Sequence, residues 1–373
     1  MKKYLALILA ALMVFALVAC GETASDTPSV PETPSSDENP SSGEESGDIP
    51  YIAVISKGEQ HQFWQTVKKG ADAAAAEFNV KITFEGPATE SDIAPQVEMI
   101  KAAIAKEPAA IALAALSTDS AIDLLNECKD KGIPIVGFDS GIPNAPEGTI
   151  YTTASTNNEA AAALAAQRLF ANEDFKAKFE AATAADPVIV GVLSQDATSG
   201  SIVGRTNGFL DKMDELAGGI AVTGHDVFNK ENADAKVKVV VQIPADTTAL
   251  KDGAEMLLKT DNITAIFASN EGAVEGLLAA TDSGKDFNKE DGKYKDIIAI
   301  GFDAGKNQKN AIKEGWFYGS ITQDPYQIGY LAVKLAVDAI NGKPAANELE
   351  DTGAQWYNKD NIDEPMINDL VYD

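Results

Sequence analysis

Histidine and cysteine are nearly absent, with two of each in 373 residues. His61 and His225 lie in separate stretches, His225 close to the polar run Asn229–Asp234. The sequence therefore offers no histidine cluster for a metal, and no metal or other cofactor is expected. The cysteines are Cys20 and Cys128. If Cys20 is modified, as argued below, Cys128 has no partner and no intramolecular disulfide can form. Cys128 closes the helical stretch Leu124-Leu125-Asn126-Glu127-Cys128 and reads as a small buried hydrophobe. Positive charge is the third scarcity. Against 57 acidic residues stand 30 Lys and Arg, a net charge of −27, which argues against nucleic acid or an anionic membrane as partner.

One long apolar run is present, Leu5 to Val18, behind Lys2 and Lys3. It is too short for a comfortable membrane span. Leu17-Val18-Ala19-Cys20-Gly21 follows, so residues 1–20 resemble a lipoprotein signal peptide. The resemblance implies a lipid on Cys20 that anchors the chain outside the cytoplasm. Residues 21–50 are rich in Ser, Pro and Glu, with eight acids and no base. Such a segment cannot bury enough apolar surface to fold, and it reads as a disordered tether. The remainder, from Tyr51, is long enough for two domains. There 28 bases face 49 acids, a net charge of −21.

From Tyr51 onward, short apolar runs alternate with amphipathic stretches. Strands are expected at Tyr51–Ile55, Lys81–Phe84, Ala109–Ala115, Ile133–Phe138, Ile150–Thr153, Val188–Leu193, Val237–Gln242, Ile263–Ala268, Asp296–Phe302 and Tyr318–Thr322. Helices are expected at Phe63–Phe78, Pro95–Lys106, Ser120–Lys131, Asn158–Ala171, Val203–Leu216, Thr248–Leu258, Gly272–Ala280, Lys306–Glu314 and Gln327–Asn341. Such alternation implies an α/β fold of βαβ units, with parallel sheets flanked by helices. Two of the strands end alike, in Gly137-Phe138-Asp139 and Gly301-Phe302-Asp303. Ligands of open α/β sheets sit beyond the carboxyl ends of strands. Two such ends facing each other would put Asp139 and Asp303 on opposite walls of one cleft.

Further stretches carry a resemblance. Val54-Ile55-Ser56 precedes Phe63-Trp64 and Lys69-Gly70-Ala71. Gly132-Ile133-Pro134-Ile135-Val136 precedes Asp139. Gly204-Arg205-Thr206-Asn207-Gly208-Phe209 opens a helix, and Ile266-Phe267-Ala268-Ser269-Asn270-Glu271 ends a strand. Ile321 to Gly329, with Gln323-Asp324-Pro325 inside it, completes the set. In this order and spacing, residues 51–373 resemble the type I periplasmic-binding-protein superfamily, in its ribose-binding-like branch. The resemblance implies two Rossmann-like lobes joined by a three-stranded hinge, with the ligand cleft between them. The N-terminal lobe would be 51–153 plus 325–352, and the C-terminal lobe 154–323 plus 353–373. The crossings would fall near Thr153–Ser155, Gln323–Asp324 and Thr352–Trp356.

A sugar presents hydroxyls and faces of C–H bonds, so binding it requires carboxylates, amides and flat aromatics. Asp139 and Asp303 are the acceptors, Arg205 a five-donor fork, Asn270 and Gln323 the amides, and Phe63 and Trp64 the stacking rings. The resemblance aligns these seven with sugar-contacting positions. Two departures bear on the ligand. Ribose binders follow the first aspartate with Arg, where this chain has Ser140. The loop Ser56–Gln62 is one residue longer and brings Lys57 and His61 near the cleft. The implied function is a monomeric, non-enzymatic solute-binding lipoprotein delivering a small sugar to an ABC permease. A receptor for autoinducer-2 or a polyol is the alternative, although Ser269 and Glu271 do not match the autoinducer branch. A glycosidase built on Asp139 and Asp303 ranks lower, because Arg205 would keep both carboxylates ionised. A repressor would carry a basic DNA-binding segment where this chain has its leader and acidic tether.

Overall fold

A computed structural model describes residues 49–372. The leader, Cys20, Asp373 and all but the end of the tether lie outside the described residues.

The strands in chain order are β1 (Tyr51–Ile55), β2 (Lys81–Glu85), β3 (Ala110–Leu113), β4 (Ile135–Phe138), β5 (Thr152–Ser155), β6 (Val188–Leu193), β7 (Ile220–Thr223), β8 (Val237–Gln242), β9 (Ile263–Ala268), β10 (Ile298–Phe302), β11 (Gly319–Gln323), β12 (Leu349–Asp351) and β13 (Ala354–Tyr357). The helices are α1 (Gln62–Glu77), α2 (Ile93–Ala105), α3 (Thr118–Asp130), α4 (Asn158–Phe170), α5 (Glu173–Ala181), α6 (Gly200–Ala217), α7 (Leu250–Leu258), α8 (Glu271–Ala279), α9 (Lys306–Lys313), α10 (Pro325–Ile340) and α11 (Pro365–Asn368).

One sheet runs β12-β5-β4-β3-β1-β2, parallel throughout. The other runs β13-β11-β10-β9-β6-β8-β7 and is parallel except for β13. Every residue of β3, β4 and β10 is buried. Helices cover both faces of a parallel sheet, which is why these strands read as unbroken apolar runs. The order reverses beside the first strand of each sheet, β1 in one and β6 in the other. The loops leaving those strands therefore stand at the switch points where α/β sheets hold ligands. The chain passes between the sheets three times: from β5 to α4, from β11 to α10, which packs on β3, β4 and β5, and from β12 to β13.

Each sheet is backed by a helix pair that meets backbone to backbone. A Cβ at Gly70 in α1 would lie 1.9 Å from the Tyr326 carbonyl oxygen, and one at Gly329 in α10 would lie 1.8 Å from that of Val67. In the other lobe, a Cβ at Gly208 in α6 would lie 2.2 Å from the Glu159 carbonyl oxygen in α4. No side chain larger than hydrogen fits at these crossings, and the glycines of the sequence motifs sit there.

Some expected bounds move. The fifth strand is Thr152–Ser155 rather than Ile150–Thr153, because Thr152 pairs with Val136 while Ile150 joins the apolar cluster around Leu125 and Ile142. The helix carrying Arg205 starts at Gly200 rather than Val203. Asp196 accepts the backbone N–H groups of Thr198 and Ser199 at 2.9 and 2.8 Å, which turns the chain into the helix earlier. Arg205 thus lies in the second turn of this helix. Strands β7, β12 and β13 and helices α5 and α11 are additional to the expected elements.

Candidate functional site

The two Gly-Phe-Asp ends are built alike. Asp139 and Asp303 both adopt left-handed backbone, with φ of 55° and 71°, a conformation that Asp tolerates better than most residues. The Asp139 N–H donates to the Ala154 carbonyl at 3.0 Å, and that of Asp303 to the Ile321 carbonyl at 2.7 Å. A serine hydroxyl of the neighbouring strand donates to each aspartate's own carbonyl, Ser155 to Asp139 and Ser320 to Asp303. The backbone is thereby fixed at both strand ends, and both carboxylates line one cavity.

That cavity brings together Lys57, His61, Phe63, Trp64, Asp139, Arg205, Asn270, Asp303 and Gln323. All nine residues singled out from the sequence are present, joined by Glu90 and Glu271.

On the first wall, Lys57 pairs with Asp139 at 3.1 Å and donates to the Ser201 hydroxyl at 3.0 Å. The cation beside Asp139 thus comes from the loop after β1, while Ser140 donates to the Ala115 carbonyl at 3.0 Å. Phe63 and Trp64 meet edge to face with centroids 5.0 Å apart, and Trp64 meets Phe138 likewise at 6.3 Å. The Trp64 indole N–H donates to Glu90 Oε1 at 2.7 Å, so the ring is locked before any ligand stacks on it.

On the second wall, Arg205 is pinned by Asn158 Oδ1 at 2.8 Å and the Ser269 carbonyl at 3.1 Å. Its guanidinium lies 3.9 Å from the centre of the Phe302 ring and 3.6 Å from Asp303 Oδ2. Gln323 donates to Asp303 Oδ1 at 2.6 Å, and the Glu271 backbone N–H to Oδ2 at 2.8 Å. Asn270 caps α8 through Ala273 N–H at 3.0 Å and donates to Gln195 Oε1 at 2.7 Å. Gln195 in turn donates to Glu90 Oε2 at 2.9 Å, from one wall to the other.

Glu90, Gln195 and Glu271 were not among the expected site residues. Glu90 and Gln195 follow the ends of β2 and β6, so the strand-end rule that found the aspartates applied to them too. Nothing in Ala88-Thr89-Glu90-Ser91 separates a buried acid from a solvated turn.

The site concentrates buried charge. Burial opposes the Lys57 ammonium, but Asp139, Glu90 and Asp196 outweigh it and hold the group above its ordinary value. Burial likewise opposes the Glu90 carboxylate, yet Lys57, His61 and the bonds from Trp64 and Gln195 keep it below the usual range. Asp139 is pushed up by burial, despite the nearby Lys57 and Arg205. Glu271 is pushed up to about 7 by burial, opposed by His61 and reinforced by Asp303.

Three polar atoms facing this cavity form no hydrogen bond with the protein: His61 Nε2, Asp139 Oδ2 and Gln323 Oε1. Asp139 Oδ2 has only its ion pair. An unpaired buried polar atom costs about 1–3 kcal/mol, so His61 Nε2 and Gln323 Oε1, beside an Asp139 Oδ2 whose one partner is Lys57, mark where a polar ligand belongs.

A periplasmic binding protein domain model matches residues 52–344. The chain belongs to that family. It is a type I member, ribose-binding-like, with the two-lobed α/β fold described above. It is 24% identical to the D-allose-binding periplasmic protein of Escherichia coli over 77% of this chain and 83% of that one. Among solved structures, an ABC transporter, LacI family transcriptional regulator from Brachyspira murdochii is 38% identical, with a TM-score of 0.71 over 87% of this chain and 99% of that one. An ABC transporter solute-binding protein from Agrobacterium vitis with bound D-fucose is 29% identical, with a TM-score of 0.70 over 86% and 100%.

Proposed function

We propose that this chain captures a neutral monosaccharide between its lobes, 51–153 with 325–352 and 154–323 with 353–373. The observation that carries the reading is a set of three polar atoms around one cavity with bonding capacity to spare: His61 Nε2 and Gln323 Oε1 have no partner, and Asp139 Oδ2 has its ion pair alone. Two of them, Asp139 Oδ2 and Gln323 Oε1, can only accept, and His61 Nε2 can do either according to its proton. Hydroxyl groups donate and accept, so a polyhydroxylated ring satisfies all three at once. Phe63 and Trp64 supply the apolar face such a ring needs. Four carboxylates against two cations disfavour an acidic or phosphorylated ligand.

The lobes open about the three crossings to admit the sugar and close on it, and ligand shifts that equilibrium by its differential affinity for the closed form. The sugars named for relatives support a substrate-capturing subunit of an ABC importer, and Leu17-Val18-Ala19-Cys20-Gly21 supports its anchoring to the cell membrane by lipid on Cys20. No catalysis is assigned. Lys57 and Arg205 accompany the two aspartates, so neither stands as a free acid beside a nucleophile.

A thermal-shift screen against D-allose, D-ribose, D-fucose and D-arabinose, with polyols alongside, tests the reading. A sugar bound only by the folded state raises the midpoint with concentration. No shift with any of them, or turnover of an aryl glycoside, would refute it.

A further inference from the structure

Helix α1 begins without a cap of its own. His61 precedes it with no side-chain hydrogen bond, and its first turn holds no acid. Helix α9 begins the same way, behind Gly305. Helices α3, α4 and α10, by contrast, each carry their own cap, in Ser117, Asn157 and Asp324. An uncapped helix start leaves backbone N–H groups without partners.

Both deficits are met from the opposite lobe. Glu271, the first residue of α8, accepts the Gln62 N–H through Oε1 at 3.3 Å and the Phe63 N–H through Oε2 at 3.2 Å. Gln62, the first residue of α1, accepts the Lys306 N–H of α9 through its side-chain Oε1 at 2.9 Å. Helix α1 packs on β2 of the first sheet, and α8 on β9 and β10 of the second. The two caps therefore cross the cleft in opposite directions. A carboxylate at the start of α1 also suits the helix dipole. Glu271 is tied to the cavity through its own N–H, which Asp303 Oδ2 accepts at 2.8 Å.

We propose that Glu271 and Gln62 form a reciprocal capping latch that sets how readily the lobes close, as positioning residues rather than selectors of the sugar. The proposal rests on the reading that the lobes open and close, but not on which ligand they close upon. Opening strips both helices of their caps at once, so each cap supports the other through the shared closure equilibrium. A lost cap shifts such an equilibrium by roughly two- to thirtyfold.

Hydrogen exchange on the full-length protein, with no sugar added, tests this. In wild type, the amides of Gln62, Phe63 and Lys306 should be protected. Gln62→Ala, a change at a half-buried position to a good helix former, should speed exchange at Lys306 and also at Gln62 and Phe63, whose bonds to Glu271 it does not touch. Glu271→Ala should do the reverse, reaching Lys306 as well. Glu271→Gln, which keeps one carbonyl oxygen, should restore part of the protection. Each substitution exposing only the amides it directly bonds would overturn the latch, leaving two local caps. Unprotected amides in the wild type would overturn it too. Because no sugar is present, either result is separate from failure of the sugar-binding reading.

Discussion

Replacing Lys57 with Met probes the site at its most charged point. Lys57 is 3% exposed and holds Asp139 at 3.1 Å. Met keeps the stem's length and removes the ammonium. Asp139 then stays buried without its cation, and Glu90 and Asp196 lose the same neighbour. Breaking a buried ion pair on one side costs about 3–5 kcal/mol. The Lys57–Ser201 bond joins the two walls, so much of that cost falls on the closed form. At about 1.4 kcal/mol per tenfold, sugar affinity should drop by roughly two to three and a half decades. Titration calorimetry with the sugar found by screening measures the loss, and thermal melting measures what falls on the fold. Adding Asp139→Asn should restore part of the melting midpoint, because the orphaned charge is gone, but not the affinity, because the amide carries no charge and accepts through one oxygen in place of two. Lys57→Met binding within threefold of wild type, with an unchanged midpoint, would refute the reasoning.

Asp303→Asn keeps a residue that tolerates left-handed backbone. It still leaves a cavity donor without an acceptor, at Gln323 or at the Glu271 N–H, and removes the charge facing Arg205. Affinity should fall by thirtyfold or more, from about 2–5 kcal/mol, and titration calorimetry would show it. Glu271 carries a pH signature. Burial raises it to about 7 in this structure, and on the proposed opening of the lobes it would return toward the ordinary 4.5 of an exposed glutamate. A raised acid favours the closed form at low pH, so affinity should weaken as pH rises from about 4.5 through about 7. Titrations across that window should show the trend and lose it in Glu271→Gln, whereas affinity rising with pH would contradict the assignment. Gly329→Val drives a side chain into the Val67 carbonyl and should lower the melting midpoint markedly or prevent folding, where overpacking costs typically 1–3 kcal/mol or more.

The layout was legible because parallel strands are buried on both faces and announce themselves as apolar runs. The short edge strand Ile220–Thr223 was missed, since four residues after Gly218-Gly219 carry little periodicity. Helix Glu173–Ala181 was missed although Asn172 caps it, because its many charges hide the apolar side that buries Phe175. Asp139 and Asp303 were legible through the repeated Gly-Phe-Asp. Glu90 and Gln195 were not, because their partners are each other and Trp64, set by tertiary packing across the cleft. Glu271 was visible only as a departure from one branch of the family. Its role as a cap for α1 depends on a helix start 208 residues away in sequence.

The central claim is that Asp139 and Asp303 together hold one neutral sugar. Titration calorimetry of wild type beside Asp139→Ala and Asp303→Ala tests it most directly. The account predicts one sugar bound per chain in the wild type, and at least thirtyfold weaker binding in each variant while both still melt cooperatively. Wild-type affinity in both variants would contradict it.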